Sequence, residues 1–196
     1  MHMRAPNEWL NLKYLCSEII LRGLLEIQLS FPLHELRYQA ASLRTRELRE
    51  FGEGRQAALF CYGMSQRIGH TVSFAQHEAR DYDVVARIEA GDQLSFVPVQ
   101  LKEWVPEHVN PSASLQVELD KLTKYADAKD LCVAVYLNRA AKLDFSQLQF
   151  PFGKVAELWF YWCSNPQQGT WTLAGNLVGP EPGFTSFNYP LPAHVE

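Results

Sequence analysis

Asp83, Gln100 and Lys102 are the side chains of this sequence whose types and spacing point most directly to chemistry. The run Asp83-Val84-Val85-Ala86-Arg87 and the run Phe96-Val97-Pro98-Val99-Gln100-Leu101-Lys102 both read as strands, with Glu89-Ala90-Gly91-Asp92 as the turn between them. Side chains alternate along a strand, so Gln100 and Lys102 share one face while Val97, Val99 and Leu101 take the other. Asp83, Val85 and Arg87 likewise share a face, and an antiparallel hairpin brings Asp83 beside Gln100 and Lys102. An acid, an amide and an ammonium at one place suit a metal site. The same alternation also describes an ordinary half-exposed hairpin.

The flanking segments supply the elements that must hold this hairpin. Ala57, Leu59, Phe60 and Met64 recur at helical spacing after Glu53, and Gly69 marks a stop before the strand-like Thr71-Val72-Ser73-Phe74. Beyond the hairpin, Pro111-Ser112 opens a stretch through Ala126 in which Leu115, Leu119 and Leu122 mark a helical face, with Ser112 or Ser114 as N-cap. Leu131-Cys132-Val133-Ala134-Val135-Tyr136-Leu137 is apolar at nearly every position and reads as a strand buried on both faces. The expected order is helix, three strands, helix, strand.

In that order, and in the placement of Asp83 and Gln100-Leu101-Lys102, residues 50–138 resemble the PD-(D/E)XK nuclease superfamily. Its core takes an acidic residue from the second strand and an acid-x-Lys from the third; here Gln100 stands in the acid's place, giving a Gln-x-Lys variant. Gly52-Glu53 with Ala57 and Leu59 looks like the superfamily's first helix, which often contributes a further Glu, so the resemblance carries that role to Glu53. It implies an α/β fold with a mixed central sheet flanked by helices, an αβββαβ core, an N-terminal helix and a C-terminal β-hairpin extension. It implies a Mg²⁺ or Mn²⁺ site drawing oxygens from Asp83, the Gln100 side chain and the Leu101 backbone carbonyl, with Glu53 acting directly or through water. Lys102 then orients the attacking water or offsets phosphate charge, and Glu53, Asp83, Gln100 and Lys102 form the catalytic set for hydrolysis of DNA. A neutral Gln oxygen implies weaker metal binding than a carboxylate. It equally suits a non-cleaving nucleic-acid-binding or assembly subunit of the same fold, and an α/β protein unrelated to nucleic acid remains a third reading.

Composition narrows the classes. At 196 residues with 47% hydrophobic content, the chain is expected to form one domain, with residues 1–49 a helical extension and 139–196 extra strands and a Pro/aromatic tail. A net charge of −4 argues against non-specific coating of nucleic acid and leaves room for a local contact surface. Residues 1–56 hold 8 Lys+Arg and 7 Asp+Glu, and Arg37, Arg44, Arg46, Arg49 and Arg55 cluster there. Arg44, Arg46, Arg49 and Arg55 are candidate phosphate contacts, although the i,i+4 spacing of Arg46 with Glu50 and Arg49 with Glu53 also describes a salt-bridged, solvated helix face. No apolar run approaches the roughly 20 residues a bilayer requires, so a cytoplasmic protein without a membrane span or signal peptide is expected. Cys16, Cys61, Cys132 and Cys163 form no Cys-x-x-Cys pair and read as reduced thiols.

Outside the core, Trp9, Leu12, Leu15, Ile19, Leu24 and Ile27 suggest one helix over residues 8–29, ended at Ser30-Phe31-Pro32 and offering a packing or homodimer surface. Residues 157–163 and 170–177 read as a second hairpin extending the sheet, and the prolines after Gly179 as an extended tail. His70, His77, Glu78 and Asp81 are an alternative metal cluster whose spacing matches no ligand motif.

Overall fold

The computed structural model describes residues 6–30, 43–45, 48–77, 79, 81–125 and 128–192. Its elements are α1 (Asn7–Leu10), β1 (Leu15–Cys16), α2 (Ser17–Ser30), α3 (Arg49–Ile68), β2 (Thr71–Gln76), β3 (Val84–Ala90), β4 (Gln93–Trp104), α4 (Leu115–Asp120), β5 (Ala128–Leu137), β6 (Val155–Cys163), β7 (Thr170–Gly175) and β8 (Gly183–Asn188). The protein is a mixed α/β fold. All eight strands lie in one sheet in chain order, β1 to β8. Neighbours are antiparallel except β4–β5 and β5–β6, which are parallel. The parallel step from β4 to β5 needs a crossover, and α4 with the 3-10 turn Lys121–Lys124 supplies it.

Helices cover both faces of the sheet, which is why β5 can be apolar at nearly every position. On one face, α3 packs Leu59, Phe60 and Cys61 against Phe74, Val99, Tyr136, Tyr161 and Trp171. On the other, Leu115, Leu119, Leu122 and Tyr125 pack against Val133, Val135, Leu158 and Phe160. Burial of each large side chain contributes about 1.5–3 kcal/mol. Gly69 ends α3 in the left-handed conformation at φ 68°, its N–H bonded to Ser65 O, and Gly91 at φ 58° turns β3 into β4.

Three expectations from the sequence need correction. The helix foreseen over residues 8–29 is broken: α1 ends at Leu10, and Leu15 and Cys16 instead pair with Phe74 and Ser73 of β2 before α2 begins. Ser17 Oγ donates to Val72 O at 3.0 Å, fastening the start of α2 to the same strand. Strand pairing there outweighs continuous helical spacing. The end foreseen at Phe31-Pro32 lies partly outside the described residues. The helix foreseen through Ala126 is one and a half turns long, with Ser114 as N-cap, and then tightens into the 3-10 turn that carries Leu122 into the core. The tail after Gly179 is not merely draped: residues 183–188 form β8, pairing Phe187 with Trp171, so the C-terminal extension has three strands.

Pro98 fits without a bulge. It stands opposite Val85 of β3, one residue before the β4–β5 ladder begins at Val99↔Cys132, so no ladder bond is asked of its missing N–H.

The β8 strand is locked to α3 at Gly63, where a Cβ would stand 2.7 Å from Phe187 Cε1 and 3.0 Å from its Cζ. Overpacking there outweighs the helix propensity that alanine adds. Gly63→Ala is expected to cost about 1–2 kcal/mol net, read as a melting temperature lower by roughly 2–8 °C. An unchanged or raised melting temperature would contradict this packing.

Candidate functional site

The site is built where β3 and β4 part. β3 begins at Val84, opposite Val99, while β4 runs on to Trp104. Asp83 has already committed its backbone: its N–H donates to Val99 O at 3.0 Å and its carbonyl accepts from His77 N–H at 3.2 Å. The next β4 amide on that side, Leu101 N–H, therefore has no strand to bond. The Asp83 carboxylate replaces the missing carbonyl, Oδ2 accepting from Leu101 N–H at 2.7 Å. Gln100 Nε2 donates to the same Oδ2, and also to Leu101 O at 3.3 Å. Both bonds fall on Oδ2, and among the described residues Oδ1 accepts none.

Gln100 and Lys102 lie in register with Val133 and Val135 of β5, on the α4 face, while Val99 and Leu101 join the core beneath α3. The sharing of faces matches the alternation in the sequence. Burial differs from an open hairpin: Gln100 is only 8% exposed, because the segment after α4 lies over it. Tyr125, 5% exposed, donates its hydroxyl hydrogen to Gln100 Oε1 at 2.9 Å. The Gln100 amide thus turns its N–H toward Asp83 and its carbonyl toward Tyr125.

Charge completes the picture. Burial raises the Asp83 pKa above the ordinary carboxylate value, the Leu101 N–H pulls it back, the nearby negative charge of Glu53 raises it further, and Lys102 and the Gln100 amide lower it; the net direction is up. Burial holds Lys102 below the usual lysine value against the attraction of Asp83, and the charge of Lys124 lowers it further. Glu53 is on the second turn of α3, ion-paired to Arg49 Nε at 2.7 Å. Asp83, Gln100 and Lys102 are therefore brought together, and Glu53 is near enough for its charge to act on Asp83.

The arginines do not converge on Asp83. Arg44 is ion-paired with Glu103, Arg49 with Glu53, and Arg55 donates to Gln168 Oε1 at 3.3 Å; Arg46 and Arg37 lie outside the described residues. The 49–53 pair is the i,i+4 bridge its spacing allows. His70 and His77 sit at opposite ends of β2, Glu78 is outside the described residues, and His77 Nδ1 is hydrogen-bonded with Tyr82 OH at 3.2 Å, an oxygen that also accepts from Trp9 Nε1 at 3.1 Å. Among the described residues no three His, Cys, Asp or Glu side chains gather as a metal shell. All four cysteines are free, and burial pushes the Cys61 thiol up to about 12.

Two residues escaped the sequence reading. Tyr125 continues the 115, 119, 122 spacing by one more step, so its place on the inner face was legible although its partner was not. Glu103, next to Lys102 but on the opposite face, accepts from Arg44, from Asn138 Nδ2 at 2.7 Å and from Gln56 Nε2 at 3.5 Å. Nothing in its spacing signals this. It lines a cavity of about 1110 Å³ at the carboxyl ends of β4, β5 and β6, whose wall also includes Glu53, Gln56, Tyr136 and Asn138.

A divalent cation takes oxygen ligands; of the residues expected to hold one, Asp83 and Gln100 are in contact, and Glu53 acts on Asp83 through its charge. Gln100 adds an oxygen only if its amide turns over. Comparison with protein-family models, with curated proteins and with solved structures finds no match. No helix among the described residues is long and apolar enough to cross a membrane.

A carboxylate whose pKa is higher folded than unfolded favours the folded state while protonated. That contribution is lost as pH rises from the ordinary carboxylate value through the raised one. Asp83→Asn, which can still accept from Leu101 N–H, is expected to leave the melting temperature at pH 7 equal to or above that of the unaltered protein. The difference should shrink as pH falls through the acid range. A loss of several degrees at pH 7 would show that Asp83 is held for stability.

Proposed function

We propose that the protein is a Mg²⁺-dependent nuclease or nuclease-like enzyme hydrolysing DNA phosphodiester bonds, of the PD-(D/E)XK kind in a Gln-x-Lys form. The observation that carries the reading is the direct contact of Asp83 with Gln100 where β3 leaves β4, with half-buried Lys102 two residues further along the same face. The surrounding order of helix, three strands, helix and strand supports it.

When bound, the cation lowers the pKa of water and stabilises charge on the transferring phosphate. The chain's own part is to hold and orient. Asp83 and Glu53 would supply negative oxygens and the Leu101 carbonyl a neutral one, Gln100 adding another only once its amide turns over, and the ion pair with Arg49 restrains Glu53. Lys102, lowered by burial, is positioned to hold the attacking water or a phosphate oxygen, and partial burial strengthens its interaction with either. Arg44, Arg46, Arg49 and Arg55 are the candidate contacts for the DNA backbone; each such contact, changed to Gln, should flatten the salt dependence of DNA binding by about one unit of slope.

One observation favours the second reading, a non-cleaving DNA-binding or assembly subunit: the Gln100 amide presents its N–H, not its carbonyl, to Asp83. The two readings part on one preparation. With Mg²⁺ or Mn²⁺ and plain DNA, the protein should bind the ion by calorimetry and cleave the DNA. Asp83→Asn, which keeps an acceptor for Leu101 N–H, and Lys102→Ala should each lower cleavage by about 10²-fold or more, with far-UV circular dichroism close to the unaltered protein and melting temperature no lower. DNA binding with neither ion binding nor cleavage selects the subunit reading. Failure to bind either ion or DNA sinks both.

A further inference from the structure

Gln100 is the ligand whose chemistry and orientation disagree. Its side chain is almost fully buried, so each end of the amide must find a partner or cost the desolvation of a polar group. The N–H end is claimed by Asp83 Oδ2, an oxygen that can only accept when ionised, and that choice fixes the carbonyl on Tyr125. A cation beside Asp83 reverses the preference, because it attracts the carbonyl and repels the N–H end. The amide must then turn over, and its N–H end arrives at Tyr125.

The Tyr125 hydroxyl can serve both arrangements, donating to the carbonyl in the first and accepting from the N–H in the second. Phenylalanine could serve neither. Tyr125 is itself well fixed: its ring is buried in the α4 cluster with Leu119 and Leu122, and Lys124 Nζ stands 4.7 Å from the ring centroid. The backbone around it is tied down as well, Tyr125 N–H donating to Leu122 O at 3.1 Å.

Resting on the nuclease reading above, we infer that Tyr125 is a positioning residue of the cation site, whose hydroxyl holds the Gln100 amide and exchanges its role from donor to acceptor when a divalent cation draws the Gln100 carbonyl to Asp83. It touches neither ion nor substrate. Its action passes through one amide, so its loss should matter only while residue 100 is an amide with two unlike ends.

The test is a double-mutant cycle on Mn²⁺ affinity, measured by calorimetry without DNA for the unaltered protein, Tyr125→Phe, Gln100→Glu and the double variant. Loss of a group that orients a metal ligand typically costs 10–100-fold in affinity, and about that loss is expected for Tyr125→Phe alone. In the Gln100→Glu background the two carboxylate oxygens are equivalent and there is no amide end to choose, so the same change should cost at most about threefold, near the additivity error. Equal losses in both backgrounds would make Tyr125 a packing residue, and no loss in either would remove it from the site. A second measurement reads the unaltered protein itself, one variant serving only to assign a signal. With glutamine side chains labelled with ¹⁵N, and the Gln100 signal assigned by its absence in Gln100→Glu, Mg²⁺ should shift the Gln100 NH₂ resonances of the unaltered protein. Unmoved resonances at saturating Mg²⁺ would overturn the inference while leaving a Gln100-independent cation site intact. If neither the unaltered protein nor Gln100→Glu binds Mn²⁺, the nuclease reading itself falls, and the inference with it.

Discussion

The Leu101 amide has to be satisfied by something other than a strand, and the arrangement around it follows from that requirement. β4 extends past the start of β3, so its backbone on that side faces no ladder, and an unpaired buried N–H costs about 1–3 kcal/mol. The Asp83 carboxylate meets the need at 2.7 Å. In doing so it is drawn into a half-buried place where its pKa rises and where Gln100 and Lys102 on the same face of β4 become its neighbours. A structural hydrogen bond and the meeting of Asp83, Gln100 and Lys102 are thus one arrangement. Oδ2 serves the backbone, and among the described residues Oδ1 accepts no hydrogen bond.

The sheet divides its labour between two faces. Under α3, Val99 and Leu101 belong to a continuous apolar core, and only beyond it, at Glu103, does the strand turn polar toward the cavity. Over the α4 face, the same strand presents Gln100 and Lys102 beneath a short helix and a 3-10 turn that bring Tyr125 down onto the amide. The parallel β4–β5 step obliges the chain to cross over at this point, and the crossover is what covers the site. A hairpin in place of the crossover would leave Gln100 in water, where its amide would have no fixed orientation.

Much of this was legible in the sequence where period and punctuation act locally. α3 with its stop at Gly69, the β3–β4 hairpin with its turn at Gly91, the buried β5 and the 157–177 hairpin all stand where alternation, helical spacing and glycine placed them. The meeting of Asp83 with Gln100 was likewise legible, because strand parity fixes faces. What escaped depends on contacts far apart in the chain. Leu15 and Cys16 leave the helical spacing because β2 offers them a ladder; β8 forms because Trp171 on β7 receives Phe187. Orientation of the Gln100 amide escaped for the same reason, since it is decided by the Asp83 carboxylate 17 residues away, the carbonyl end then meeting the Tyr125 hydroxyl 25 residues away. The arginine cluster was readable as composition only, and its described members are engaged with Glu103, Glu53 and Gln168.

The central claim is that Asp83 and its neighbours hold a divalent cation, and crystals of the protein soaked in Mn²⁺ test it most directly through anomalous scattering. The account predicts a manganese peak within coordination distance of Asp83 Oδ1, with the Gln100 carbonyl turned toward it and the amide N–H on Tyr125. Manganese bound only elsewhere, or none at Asp83 at millimolar concentration with the Gln100 amide still donating to Oδ2, would contradict it.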